Sequence, residues 1–467
     1  MTNEVKRPSF GASLSTFLGV VGILVIGILA FKMDIHILLS LGLIYTCFMA
    51  KSAGFTLDEI FDGMADSVKK AMVAMLIFIL IGTIIGSWIS AGTVPALIYY
   101  GLKFLNPKFF LPAGFIVCCI TSFATGTSWG TAGTVGLAMM GMGMGLGIPA
   151  PAIAGMVISG AAFGDKMSPM SDTTILAAAS AECDMYDHIK AMSYTTIPAT
   201  LISLAGFTFL GFKYTASSNM TSQDVVILQE TLEKTFNLNP IVLLPILVVI
   251  VLSLMKVPSV PALTIGTFLG SATAVIFQKV SIVSAMDALN YGYTQATGIA
   301  IVDKLLLRGG IQGMMWTFSL AFIALCLGGV LEKAEFLTVL IEKILLNVKS
   351  NAGLMLVTMI STIVGCAATS EVYLAIILNG SLFKDAYTDK GLRRSLLSRI
   401  LEEGSTLVGP IIPWTTCGAF MAGTLGVDTL KLAPFALLCW INPLISIVLG
   451  YMGIFVPKED NVAKKVA

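Results

Sequence analysis

Asp165 and Asp172 stand in the string Gly164-Asp165-Lys166-Met167-Ser168-Pro169-Met170-Ser171-Asp172-Thr173-Thr174, which interrupts otherwise apolar sequence. Three more polar strings do the same. Residues 125–134 hold Thr127 and Ser128, residues 369–373 hold Ser370 and Glu371, and residues 402–416 hold Glu402, Glu403, Pro410, Pro413, Thr415 and Thr416. Glycine and proline break a membrane helix and free backbone groups that must find partners inside the protein. Hydroxyls and carboxylates at such breaks supply the oxygen cage that a hard cation such as Na⁺ prefers. A carboxylate in that cage can hold a proton or a metal ion in turn. The candidates for ion binding and proton coupling are Asp165, Asp172, Thr173, Thr127, Ser128, Ser370, Glu371 and Thr415. Among them Asp172, Asp165, Ser128 and Thr173 are the expected Na⁺ ligands. Lys166 is a candidate contact for an anionic substrate.

Each feature has a plainer explanation. Runs of Gly, Ser and Thr in membrane helices serve close packing. That account fits residues 125–134 as well as function does, and it fits the Gly- and Met-rich run 139–147 better. For Asp165 the plainer account is a pair with Lys166 near an interface. Function is favoured because Pro169 and four hydroxyls crowd the two aspartates, and a charge at the bilayer centre costs about 2.5–3.5 kcal/mol on insertion scales. Glu402 and Glu403 follow a basic stretch and suit an interface as well as a site. Lys103 and Lys108 suit interfacial anchors, His36 a solvated helix end, and His188 the charged loop 182–190. Gly126-Thr127-Ser128-Trp129-Gly130 fits a nucleophile elbow, but that motif has meaning on a strand–turn–helix with a triad histidine. Intramembrane proteolysis by Asp165 lacks a second aspartate in another apolar span. The eight cysteines form no CxxC pair and the two histidines are far apart, which argues against a zinc site.

The elements that must position these residues are membrane helices. The chain has 467 residues, 56% of them hydrophobic and only 12% charged, against about 25% charged in soluble domains. Net charge is +1, which gives no reason to expect nucleic acid. About 20 apolar residues cross a bilayer. On that measure the sequence predicts an all-α polytopic membrane protein with about 10–12 transmembrane helices, several of them broken. Residues 57–70 and 381–400 are polar enough to lie at the surface. No soluble catalytic domain fits in the longest polar stretch, 215–239.

A repeat is visible: Thr127-Ser128 and Thr369-Ser370, Thr173-Thr174 and Thr415-Thr416, and Gly86 and Gly328 all lie 242 residues apart. Lys384, Lys390, Arg393, Arg394 and Arg399 crowd one region, whereas positions 142–157 carry no charge. Basic loops favour the cytoplasm, so the two halves are expected to be inverted. This gives a first transmembrane repeat over 1–214, an extracytoplasmic linker over 215–239 with Asp224, Glu230 and Glu233, a second repeat over 240–457, and a cytoplasmic tail over 458–467. Lys6 and Arg7 place the N-terminus inside, and Lys458, Lys464 and Lys465 place the C-terminus there. Two inverted repeats with broken helices and a midplane site are the architecture of secondary transporters.

At Gly126-Thr127-Ser128-Trp129-Gly130-Thr131 and Gly164–Thr174 the sequence resembles the NhaC-type Na⁺/H⁺ antiporters of bacteria, and the resemblance spans essentially the whole chain, including Thr369-Ser370-Glu371. It implies an inner-membrane protein with the broken-helix fold of the ion transporter superfamily. Na⁺ and H⁺ would be the transported ions, with no cofactor. A homodimer is the candidate assembly. One branch of the family exchanges malate with protons for lactate with Na⁺, and the motifs do not separate the branches. In that branch, helix N-termini at the breaks would hold the anion. A channel is disfavoured, because paired breaks suit alternating access.

Overall fold

The computed structural model describes residues 7–104, 106–216, 222–255, 257–345 and 348–457. Lys6, Lys458, Lys464, Lys465 and the side chain of Asp224 lie outside the described residues. Among those described there are helices and turns and no β-strand. Eight helices are long and apolar enough to cross a membrane, or up to ten if two bent pairs each count as one span. The protein is therefore a multi-pass membrane protein. The remaining apolar stretches, over 128–145, 150–180 and 416–425, are chopped into short helices by the polar strings.

Local chemistry sets where the helices start. Asn106 accepts from the Lys108 N–H with Pro107 at the first helical position, and Ser350 accepts from the Gly353 N–H. These two helices, Pro107–Thr125 and Asn351–Thr369, both end in a left-handed residue, Gly126 at φ 70° and Ser370 at φ 60°. Helix starts at Pro107, Ser128, Ala150, Asp172 and Met185 recur at Asn351, Val372, Arg394, Thr416 and Thr429, and 351 − 107 = 244 holds for every pair. The helices thus register two residues away from the 242 spacing of the Thr-Ser matches. Thr127 corresponds in position to Glu371, and Asp172 to Thr416.

The helix Ala150–Met167 lies almost backbone to backbone on Pro107–Thr125. A Cβ on Gly164 would sit 2.1 Å from the Phe123 amide nitrogen, and one on Gly160 would sit 2.5 Å from Cys118 Cβ. Small residues four apart permit this approach, and it carries Asp165 up to the break at Gly126. Gly164→Ala has backbone, not a flexible side chain, in its way. The expected result is loss of most folded protein, seen as a collapsed monodisperse peak in size-exclusion chromatography of the extracted variant.

Two surface expectations divide. Leu57–Lys70 is amphipathic and capped by a Thr56/Glu59 box. Its buried face, with Ile60, Gly63 and Ser67, packs on the helix Gly310–Lys333. The stretch 381–400 divides: Ser381, Asp385 and Asp389 are exposed on the helix Val372–Asp389, whereas Ser395 to Ile400 are buried. Arg394–Gly404 is largely buried, Arg399 completely so, with only part of its charged groups hydrogen-bonded within the protein. Arg399 Nη1 donates to the Phe455 carbonyl at 3.1 Å, and its Nε lies 3.9 Å from Glu403. Lys384 and Arg394 both bind Glu182. The run 139–147 packs as expected, with Gly141 and Gly145 against Ile98.

Candidate functional site

Four helices begin at the polar strings, and the first residue of each lines one cavity. They are Ser128 of Ser128–Thr131, Asp172 of Asp172–Ser180, Val372 of Val372–Asp389 and Thr416 of Thr416–Leu425. The cavity has a volume of about 270 Å³, and its wall includes three carboxylates, Asp165, Asp172 and Glu371. Asp165 and Glu371 are buried, while Asp172 faces the mouth.

Each carboxylate is held from a break. Ser128 Oγ donates to Asp165 Oδ2 at 2.5 Å, and Ser171 Oγ donates to Asp165 Oδ1 at 2.6 Å. Ser171 and Thr173 hydroxyls lie 3.0 Å apart. Thr416 Oγ1 donates to Glu371 Oε2 at 2.7 Å, and the Thr416 N–H donates to the Ser370 carbonyl. This closes one break onto the other. Tyr373 Oη donates to Asp172 Oδ2 at 2.7 Å, and the Thr173 N–H donates to Asp172 Oδ1 at 3.0 Å. Helix N-termini stabilise negative charge, and here that charge is the protein's own.

The structure sorts the expected residues. Asp165, Asp172, Thr173, Thr127, Ser128 and Glu371 all line the cavity. Thr415 and Ser370 do not. Thr415 caps its helix through the Gly418 N–H at 2.9 Å and donates to the Gly409 carbonyl, and Ser370 donates to the Ala324 carbonyl. Thr127 likewise spends its oxygen on the Gly130 N–H. In Thr127-Ser128 and Thr415-Thr416 the first residue caps the helix, and the next reaches a carboxylate. The N-cap rule applied to Thr415-Thr416 would have pointed to Thr416. Tyr373, Ser171 and Thr406 were also missed as site residues; all three lie inside the polar strings but carry no charge to mark them. Tyr373→Phe removes one hydrogen bond to a carboxylate, worth roughly 1.5–3 kcal/mol at most. A rise of several-fold in the Na⁺ concentration for half-maximal exchange is expected from titration of the variant in vesicles.

Lys166 is absent from the cavity wall. It is fully buried, donating to Glu403 Oε1 and Asn442 Oδ1, both at 3.2 Å. Thr195 Oγ1 adds a 2.5 Å bond to Glu403. Glu402 and Glu403 are both fully buried, so the interfacial position does not hold for them. His188 is also buried, with Nδ1 2.7 Å from Ser398 Oγ, and is no partner for Ser128. His36 is bound rather than merely solvated. Its ring nitrogens meet Asp34 at 3.0 Å and the Trp316 carbonyl at 2.9 Å. Among the described residues no three His, Cys, Asp or Glu side chains form a metal cage. A hard cation here would draw on hydroxyl and backbone oxygens beside one or two carboxylates.

Trp129, in the cavity wall, stacks on Phe420 at 4.1 Å between centroids, and Phe78 packs on both at about 6 Å. Lys70, Ala71, Pro258 and Ser259, also in the wall, lie at helix ends.

The model of the Na⁺/H⁺ antiporter family matches residues 8–191 and 160–454. A Na⁺/H⁺ antiporter NhaC of Alkalihalophilus pseudofirmus is 35% identical over 98% of this chain and 99% of its own length. A malate-2H⁺/Na⁺-lactate antiporter of Bacillus subtilis is 38% identical over 95% of each chain. An arginine/ornithine antiporter of Halobacterium salinarum is 36% identical over 96% of this chain and 93% of its own. With the family model spanning nearly all of the sequence, the chain belongs to the Na⁺/H⁺ antiporter family.

Proposed function

We propose that this protein exchanges Na⁺ for H⁺ across the bacterial cytoplasmic membrane, with Asp165 as the shared carboxylate and Asp172 and Glu371 completing the site. The observation that carries the reading is the convergence of helix breaks from both halves and three carboxylates on one cavity. Asp165 is satisfied by two serine hydroxyls when ionised. Those hydroxyls can turn a lone pair toward Na⁺, and a proton on Asp165 removes the charge that holds the ion. Exchange follows when loaded or protonated forms cross and the empty ionised form does not, since unpaired buried charge is costly.

The contacts support inverted halves over 1–214 and 240–457. Lys349 and Lys390 meet at the start of Asn351–Thr369, at the end of the fold where Arg394 holds Glu182 just before Met185–Ala216. The matching helix Pro107–Thr125 starts beside Gly211, at the far end of that 32-residue helix. Equivalent helices thus run in opposite directions. Arg7, Lys70, Lys349, Lys384, Lys390 and Arg394 share the first end, where Arg7 pairs with Glu335 and Lys70 with Glu332. Basic residues favour the cytoplasm, so the cavity faces inward. The segment Ser222–Thr235 sits at the other end, where Tyr99 donates to Glu233. It belongs to the extracytoplasmic linker.

Two measurements test this. Acid-loaded proteoliposomes should take up tracer Na⁺ until the pH gradient collapses; no uptake above empty vesicles would overturn the exchange. In a cysteine-free background, Ser259→Cys should react with an impermeant thiol reagent from the cytoplasmic face. Labelling from the outer face alone would reverse the orientation. The Bacillus subtilis relative favours an organic-acid exchanger as the second reading. Against it, the helix N-termini at the breaks already hold the protein's own carboxylates, and Lys166 is turned away from the cavity.

A further inference from the structure

A second cavity, of about 540 Å³, lies at the Gly310 end of the helix Gly310–Lys333, away from Lys70 and the three carboxylates. Arg308, Tyr291, Tyr293, Thr294, Gly423 and Gly426 are in its wall, and no acidic residue is. Asp287 lines a neighbouring cavity. The loop that carries Arg308 is pinned. The Tyr293 N–H donates to the Arg308 carbonyl, and a Cβ on Gly310 would lie 2.2 Å from the Gly292 amide nitrogen. Arg308 Nη2 donates to the Thr424 carbonyl at 3.0 Å, where the helix Thr416–Leu425 ends.

Capping that helix end is a sufficient reason for a cation, but it uses one of five guanidinium donors. Among the described residues no carboxylate pairs with Arg308, and it stands in a cavity whose wall also includes Tyr291, Tyr293 and Thr294. A positively charged, donor-rich chamber of this size falls within the ~300–1,000 Å³ of small-ligand sites. A planar fork of N–H groups matches a carboxylate in two-point contact. We propose that this cavity is an anion site for a small organic carboxylate, with Arg308 as its charged anchor and Tyr293 as a second donor. The helix Thr416–Leu425 then has the cation site at its N-terminus and the anion site at its C-terminus.

The test uses the purified full-length protein, with malate as the probe and chloride as the comparison, followed by calorimetric titration. Wild-type protein should bind malate and release it to chloride only at a large excess. Arg308→Gln should weaken malate at least tenfold, and Arg308→Lys less, because a point charge replaces the fork. Tyr293→Phe leaves the Arg308–Thr424 bond in place and should weaken malate several-fold, so the site stays testable if the Arg308 variants do not fold. Malate binding unchanged in Arg308→Gln and Tyr293→Phe, absent in wild type, or matched by chloride would overturn the proposal. Na⁺ uptake measured without malate reports on the carboxylate cavity separately, so failure of one site is not mistaken for failure of the other.

Discussion

Asp165→Asn should abolish Na⁺-dependent proton movement while leaving the protein inserted and extractable. The carboxamide keeps the shape of the side chain but has neither the charge that attracts Na⁺ nor a proton to release. Ser128 and Ser171 would donate to a neutral group in place of a carboxylate. With neither the charge nor a titratable proton, no coupled exchange above that of empty vesicles is expected. The check is initial rate of Na⁺-driven pH change per milligram of reconstituted variant. Asp172→Asn should also impair exchange. Because Asp172 lies at the mouth and keeps Tyr373 as a partner, its loss is expected to act mainly on the Na⁺ concentration required.

Lys166→Met should fail in a different way, through stability. Lys166 and Glu403 are both fully buried and 3.2 Å apart, so removing the amine leaves a carboxylate with Arg399 Nε at 3.9 Å as its nearest cation. Breaking a buried pair costs about 3–5 kcal/mol. The thermal unfolding midpoint in detergent should drop by many degrees. The double variant Lys166→Met/Glu403→Gln should recover part of the loss, since partners in one network do not add independently. A Lys166→Met protein as stable as wild type but altered in transport would instead make Lys166 a substrate contact.

The contrast between Asp165 and Lys166, neighbours in sequence, shows what could be read from residues alone. Charges in an apolar run have few reasons to exist, so the Gly164–Thr174 string and Glu371 stood out without coordinates. The helix breaks were legible too, because glycine, proline and capping hydroxyls fix them locally. What Lys166 faces was not legible, for its partners Glu403 and Asn442 are more than 200 residues away. Helix Arg394–Gly404 misled for a related reason. Its composition reads as surface; Glu403 stands four residues after Arg399 in the same helix, but the Phe455 carbonyl that takes its guanidinium comes from the fold. The Thr-Ser recurrence at 242 stands two residues out of register with the helix starts, which recur at 244. Arg308 carried no signal in its flanking glycines beyond that of a turn.

The most direct test of cation exchange uses purified protein in sealed liposomes with a trapped pH dye, to which Na⁺ and then K⁺ are added, each with and without malate and lactate. The account predicts a pH change driven by Na⁺ alone, larger than that with K⁺ and lost in Asp165→Asn. A response that appears only when a carboxylate is present, or that survives in Asp165→Asn, would contradict it.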